Sequence, residues 1–223
     1  MSGSTHQPRL YLAIPAASDV ASTGELSELL RSADIAAVLL RMPKAEPRAL
    51  LDRVKAFAPE VQETGAALLL EGHADLVARG GADGADGAHL SGIDAMQDAL
   101  PSLKPQRIIG VGNLTSRHDA MVAGEAGADY VIFGDADIHG ERPSTEAIAE
   151  RVAWWAEVFQ VPCVAYAGSF DECAEFAAAG ADFVLVEDII WNDPRGAGAA
   201  LIDAVAAIGQ TLSPARPKAE ADT

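Results

Sequence analysis

Three times this chain spells Gly-Ala-Asp and then runs straight into apolar residues: Gly84-Ala85-Asp86, Gly127-Ala128-Asp129 and Gly180-Ala181-Asp182, with Ser32-Ala33-Asp34 as a looser fourth copy. A glycine that closes a helix, a short polar step and a short apolar run together mark a helix handing over to a buried strand. A chain that repeats the phrase is built from repeated helix-to-strand units.

Counted in order, the apolar runs occupy residues 11–15, 36–41, 66–71, 87–91, 107–112, 130–135, 163–168 and 183–188, which makes eight strands. Helical patterning fills the intervals. Its expected starts are Thr23-Gly24-Glu25, Pro47, Asp75, Asp94, Ser116, Ser144, Ser169 or Asp171, and Asp193-Pro194. Several offer a side-chain oxygen to the free N–H groups of a first turn, and Asp193-Pro194 adds a proline suited to the first helical position. The four Ala-Asp copies precede the second, fourth, sixth and eighth strands, so strand-helix-strand is the repeating unit. Parallel strands joined by right-handed crossovers close at eight, and the expected fold is α/β, a single-domain (β/α)8 TIM barrel. The barrel is expected over residues 10–210, with a flexible N-terminus at 1–9 and a disordered Pro-, Ala- and charge-rich tail at 211–223. An open doubly wound sheet is the alternative, but no G-x-G-x-x-G follows the first strand.

The 223 residues, 49% of them apolar, suffice for one large core, and the formal charge of −17 disfavours nucleic acid and acidic membranes as partners. Cys163 and Cys173 have neither CxxC spacing nor metal-ligand companions and read as small buried hydrophobes in a reducing compartment. No signal core and no membrane-length apolar run is present, so a cytoplasmic location is expected.

In such a barrel the active site lies at the carboxyl ends of the strands. That rule selects Arg41, Glu71, Asp94, Asn113, Asp135, Asp137, His139, Tyr166, Glu187 and Asp188. Carboxylates converging on one mouth repel one another unless a divalent metal or a cationic ligand neutralises them, or unless they cap helices and pair with arginine and lysine. Of Glu187 and Asp188 only one can face the barrel interior, because consecutive strand residues point to opposite faces. His89 lies within a strand, either as a hydrogen-bonded core histidine or as a ligand contact. His73 and His118, near helix starts, are expected at the surface, and Trp154-Trp155 is expected to pack against the sheet or a subunit.

The run from His73 to Asp94 (HADLVARGGADGADGAHLSGID) resembles the phrase N-D-x-x-D-L-A…G-A-D-G-V-H-L-G-Q-x-D of the thiamine phosphate synthase family and its TenI-type relatives. Residues 107–135 resemble that family's I-G-V-S-T-H-S…A-G-A-D-Y-V-G-F-G, and Asp193-Pro194 resembles the opening of its closing helix. The likeness runs from residue 11 to about 208. It implies a barrel that binds hydroxymethylpyrimidine pyrophosphate, uses Mg²⁺ to help expel pyrophosphate, and lets a thiazole phosphate nitrogen capture the pyrimidine cation. Carried over to this chain, the resemblance puts Arg41 and Arg142 on pyrophosphate with Lys44 nearby, Glu71 and Asp94 on Mg²⁺, and Asn113 and His89 near the pyrimidine. Gly168, Ser169 and Asp188 fall at substrate- and phosphate-binding positions.

The chain departs from the family pattern at several of these places. The family's Asn-Asp pair reads Glu71-Gly72, its Ser-Thr-His reads Gly112-Asn113-Leu114, and its Thr-Lys reads Glu141-Arg142. Its Gly-Gly reads Ala167-Gly168, and its Val-Ser reads Glu187-Asp188. Two other functions are therefore weighed beside synthase activity. One is a catalytically impaired TenI-like paralogue that binds a thiamine-related ligand or regulates. The other is a different metal-assisted enzyme on the same barrel. A small-molecule ligand resembling a thiamine precursor is expected in each of the first two, and a homo-oligomer is compatible with all three.

Overall fold

The computed structural model describes residues 7–18, 20, 25–81, 84–137 and 139–209. The expected helix start at Thr23-Gly24, most of the N-terminal segment and the whole of the expected C-terminal tail lie outside these residues. Eight parallel strands form a closed barrel in chain order, with the last paired to the first. They are β1 (Arg9–Ile14), β2 (Ile35–Leu40), β3 (Ala67–Glu71), β4 (Gly87–Ser91), β5 (Ile108–Gly112), β6 (Tyr130–Phe133), β7 (Cys163–Tyr166) and β8 (Phe183–Val186). Around them run α1 (Glu25–Arg31), α2 (Pro47–Gln62), α3 (Ala74–Arg79), α4 (Gly92–Leu103), α5 (Arg117–Ala126), α6 (Thr145–Val158), α7 (Phe170–Ala178), a short α8 (Asp188–Trp191) and α9 (Ala197–Gly209).

The strands read as continuous apolar runs because both of their faces are covered. Alternate residues split into two buried clusters. Leu10, Leu12, Ile14, Val38 and Leu40 join the helices, while Tyr11, Ala13, Leu39, Leu69, Tyr130, Ile132, Val164 and Leu185 fill the barrel interior. Continuing these inward rows by the strand period of two brings Arg41, Glu71, Tyr166 and Glu187 to the carboxyl-end mouth. Gly110 belongs to the same inner set because the Tyr130 ring crosses in front of it: a Cβ there would lie 1.8 Å from Tyr130 Cζ.

The Gly-Ala-Asp phrase does more than punctuate. Each aspartate reaches sideways to the start of the preceding strand. Asp86 Oδ2 accepts from the Leu68 N–H at 2.7 Å, Asp129 Oδ2 from Ile109 at 2.7 Å, and Asp182 Oδ2 from Cys163 at 2.7 Å. The same three aspartates donate their own N–H to the carbonyls of Leu68, Ile109 and Cys163. A two-way clasp therefore fastens β3 to β4, β5 to β6 and β7 to β8 at their amino ends. The looser copy differs, since Asp34 pairs with the Arg9 guanidinium instead.

Ser116, Ser144 and Ser169 cap α5, α6 and α7, as their sequence positions suggest. Gly127 and Gly180, at φ 107° and 100°, supply the left-handed turn out of α5 and α7 that disfavours any residue with a Cβ. Gly84 has another purpose, because its α-carbon packs on Gly80 where a Cβ would lie 2.8 Å from the Gly80 Cα. Asp193-Pro194 does not open the last helix. The Asp193 carboxylate turns back to accept from the Arg195 N–H, and α9 begins at Ala197, after the separate turn of α8. Both cysteines are buried, and burial pushes each thiol up to about 12. Trp155 is also buried, donating its indole N–H to the Val161 carbonyl at 2.6 Å.

Candidate active site

The mouth is a cavity of about 440 Å³ lined by Arg41, Glu71, His89, Asn113, Asp135 and Tyr166 among others. Its centre is an arginine held between two carboxylates. Arg41 Nε and Nη2 donate to Glu187 Oε1 and Oε2 at 2.8 and 2.9 Å, while Nη1 donates to Glu71 Oε1. The Tyr166 hydroxyl donates to Glu187 Oε2 at 2.8 Å. Glu187 is buried and Asp188 exposed, the division expected from strand alternation. Burial works against the Arg41 charge, but the bonds and charges of Glu187 and Glu71 outweigh it and hold the guanidinium more firmly protonated than usual. Burial, reinforced by Glu187, pushes the Tyr166 phenol up, so it remains a donor.

His89 is both a core histidine and a lining residue. Its Nδ1 lies 3.3 Å from the Tyr130 hydroxyl, which lies 2.9 Å from the Tyr11 hydroxyl, and its Nε2 side faces the mouth. Burial lowers the pKa of His89; Asp135 and Glu71 oppose the shift and Arg41 adds to it. Gly112 is where His89 and Asp135 meet: a Cβ there would stand 2.2 Å from Asp135 Oδ2 and 2.8 Å from His89 Nε2. Tyr11, Tyr130 and His89 form a continuous buried row of polar groups from the barrel interior to the mouth. Asn113 stands at φ 53°, held there by its N–H to Asp135 Oδ2 at 2.9 Å, and its side-chain amide reaches Ser91 Oγ at 3.2 Å.

Of the residues expected at the site, Arg41, Glu71, His89, Asn113, Asp135, Asp137 and Tyr166 share this cavity. Asp94 is exposed on the first turn of α4 and lines a neighbouring cavity with Ser91, Asn113 and Asp119. Among the described residues no three His, Cys, Asp or Glu side chains are grouped to hold a metal. Lys44 is exposed on the loop after β2 and Asp188 on the first residue of α8. Gly168 and Ser169 are exposed at the start of α7. Arg142 lines a second cavity of about 300 Å³ with Asp135, Asp137, Glu141 and Arg151. Its Nη1 donates to both oxygens of Glu172 at 2.9 Å, its Nε to the Gly134 carbonyl at 3.0 Å, and its Nη2 to the Tyr166 carbonyl.

Three participants escape a reading of the sequence: Tyr11, Tyr130 and Glu172. The tyrosines sit in apolar strands and look like core. Glu172 follows the cap Ser169 at the spacing of a capping box, which signals a helix start rather than a partner for an arginine 30 residues away.

A family model described as thiamine monophosphate synthase matches residues 10–190. The chain belongs to this family. The thiamine-phosphate synthase of Rhodospirillum centenum is 41% identical over 199 residues, covering 87% of this chain and 95% of that one. That of Hyphomonas neptunium is 35% identical, covering 88% and 94%. Among solved structures, thiamine phosphate pyrophosphorylase from Pyrococcus furiosus superposes with a TM-score of 0.72 at 21% identity, covering 93% of this chain and 98% of that one. Orotidine 5′-phosphate decarboxylase from Pyrococcus horikoshii also superposes, with a TM-score of 0.62 at 14% identity, covering 90% and 99%. At these identities the superpositions speak for the barrel alone. No helix among the described residues is long and apolar enough to cross a membrane.

Proposed function

We propose that this protein joins hydroxymethylpyrimidine pyrophosphate to thiazole phosphate with release of pyrophosphate, forming thiamine phosphate in the cytoplasm. The observation that carries the reading is the 41% identity to a thiamine-phosphate synthase over 95% of that relative's length. The gathering of Arg41, Glu71, His89 and Asn113 on one cavity at the carboxyl ends of the strands adds to it. In the reaction the bond between the pyrimidine methylene and the pyrophosphate oxygen breaks, both electrons leave with pyrophosphate, and the thiazole nitrogen bonds to the methylene carbon.

Arg41 is the guanidinium available to the departing pyrophosphate. It must loosen from Glu71 or Glu187 to reach it, and Tyr166 keeps Glu187 supplied with a donor as it does so. His89 and the amide of Asn113, which line the same cavity, would orient the pyrimidine. The carboxylates Glu71, Asp135 and Glu187 around the mouth favour the positive charge that develops on the pyrimidine as pyrophosphate leaves.

Mg²⁺ takes few protein ligands and relies on substrate phosphates, so one or two carboxylates suffice for it. Asp94, exposed and without a salt bridge among the described residues, and Glu71, which holds Arg41 through one oxygen, line neighbouring cavities and would be its ligands; the ion would neutralise the leaving pyrophosphate. Lys44, Ser169 and Asp188 are the remaining phosphate-side candidates, while Arg142 and the Gly168 N–H meet the Glu172 carboxylate. Incubating the protein with both precursors and Mg²⁺ should yield thiamine phosphate. No product at high protein concentration would overturn the assignment.

A second reading, a TenI-like protein that binds without catalysis, is favoured by the two carboxylates on Arg41. Calorimetry with thiamine, its phosphates and the two precursors distinguishes it, since binding without turnover is its signature. A metal-assisted enzyme of another kind would instead bind a divalent ion without either precursor.

A further inference from the structure

Glu172 is a carboxylate treated as a ligand. It leaves the first turn of α7 and turns back between the ends of β6 and β7. Its Oε1 accepts from Thr145 Oγ1 at 2.6 Å and from Arg142 Nη1 at 2.9 Å. Its Oε2 accepts from the Gly168 N–H at 2.6 Å and again from Arg142 Nη1 at 2.9 Å. The side chain is only 12% exposed although Gly168 and Ser169 beside it are exposed. A guanidinium, a hydroxyl and a backbone N–H at the entry to a helix form the donor set that a phosphate monoester takes. Here one internal carboxylate satisfies all of it.

A phosphate brought to this place would find its donors engaged and a negative charge already seated. The adjoining cavity does not compensate, because Asp135, Asp137 and Glu141 line it together with Arg142 and Arg151. Arg142 cannot swing out freely either, being tied to the carbonyls of Gly134 and Tyr166.

We propose that Glu172 is a specificity-determining residue: it fills the anion seat between the β6 and β7 ends, so a substrate is selected there without recognition of its phosphate. Any phosphate the substrate carries is bound elsewhere, toward Arg41. Removing the carboxylate turns the seat into a phosphate site. The seat itself stands on geometry alone; its bearing on the choice of acceptor rests on the synthase reading above.

The test is thermal unfolding of wild type and Glu172→Ala in inorganic phosphate and in chloride of equal ionic strength. The variant should gain about 4 °C in 20 mM phosphate over chloride, from a site of about millimolar affinity, and the wild type should gain nothing comparable. A folded variant with no phosphate-specific gain, or a wild type with an equal one, overturns the proposal. If Glu172→Ala does not fold in chloride, phosphate in the refolding buffer should restore its circular dichroism. Failure of that rescue in both Glu172→Ala and Glu172→Ser also overturns it. A second arm compares acceptors. Wild type should show KM values for thiazole phosphate and thiazole alcohol within about 3-fold of each other, and Glu172→Ala should favour the phosphorylated acceptor by a further tenfold or more, the factor expected of one charge-assisted contact. Turnover of neither acceptor alongside a clear phosphate response would sink the synthase reading and leave the filled seat intact.

Discussion

Both ends of this barrel are rich in carboxylates, yet the Gly-Ala-Asp aspartates at one end and the glutamates at the other find different main partners. At the amino ends of the strands Asp86, Asp129 and Asp182 each bind a backbone N–H of the neighbouring strand. At the carboxyl ends Glu71 and Glu187 bind Arg41, and Glu172 binds Arg142. A carboxylate on a backbone amide is a fastening that depends on chain geometry alone. A carboxylate on an arginine depends on a partner supplied from elsewhere in the sequence, and such a pair can exchange partners with a charged ligand. The acidic character of the chain thus divides into a scaffold part and a ligand-responsive part.

The sharpest way to break this division is at Arg41. Arg41→Met should strand Glu187 as a buried carboxylate with, among the described residues, only Tyr166 left as donor and cost about 3–5 kcal/mol in urea unfolding. A loss near zero would mean that the mouth is better hydrated than its burial implies. Next comes Gly112→Ala, whose Cβ would displace Asp135 or His89 while leaving the amino-end clasps alone. Precursor binding or turnover should fall about 100-fold, as misplacement of positioned groups does, with circular dichroism unchanged.

Asp182→Ala tests the other end. It should cost about 1.5–3 kcal/mol, the worth of a hydrogen bond to a charged acceptor, and leave ligand affinity as it was. Loss of affinity without loss of stability would erase the distinction between the two ends. Acidification separates the carboxylates by pH. Burial raises the Glu172 pKa, but the bonds from Thr145, Gly168 and Arg142 prevail, so its folded value lies below the ordinary one. A depressed carboxylate contributes stability above the unfolded value, about 4.3, and loses it as pH falls through the folded value. Glu172→Gln should therefore flatten the unfolding midpoint below about pH 4.3 while lowering it at neutral pH. The smallest effect belongs to Asp34→Ala, at or below about 1 kcal/mol, because its partner Arg9 and Asp34 itself are 44% and 70% exposed.

Much of the scaffold could be read from local patterns. The eight apolar runs became eight strands because a strand buried on both faces needs no partner information to announce itself. Ser116, Ser144 and Ser169 capped the helices they preceded, since a cap acts over three residues. The same locality misled at Asp193-Pro194, where a helix-opening pair instead closes a turn on Arg195, and it missed α8 altogether. At the mouth, strand alternation required that only one of Glu187 and Asp188 face inward; the fold turns Glu187 inward and puts the exposed Asp188 at the start of α8. Alternation could not show that Arg41 would find Glu187, 146 residues away, or that Arg142 would find Glu172.

The sequence by itself determined the barrel and the level at which its polar ends stand, because periodicity, turns and caps are short-range and survive in one dimension. Only the tertiary structure decided which charges neutralise one another, that a row of two tyrosines and a histidine threads the interior, and that a glutamate occupies a seat fit for phosphate. Those outcomes depend on distances between chain segments that meet only when the eighth strand closes on the first.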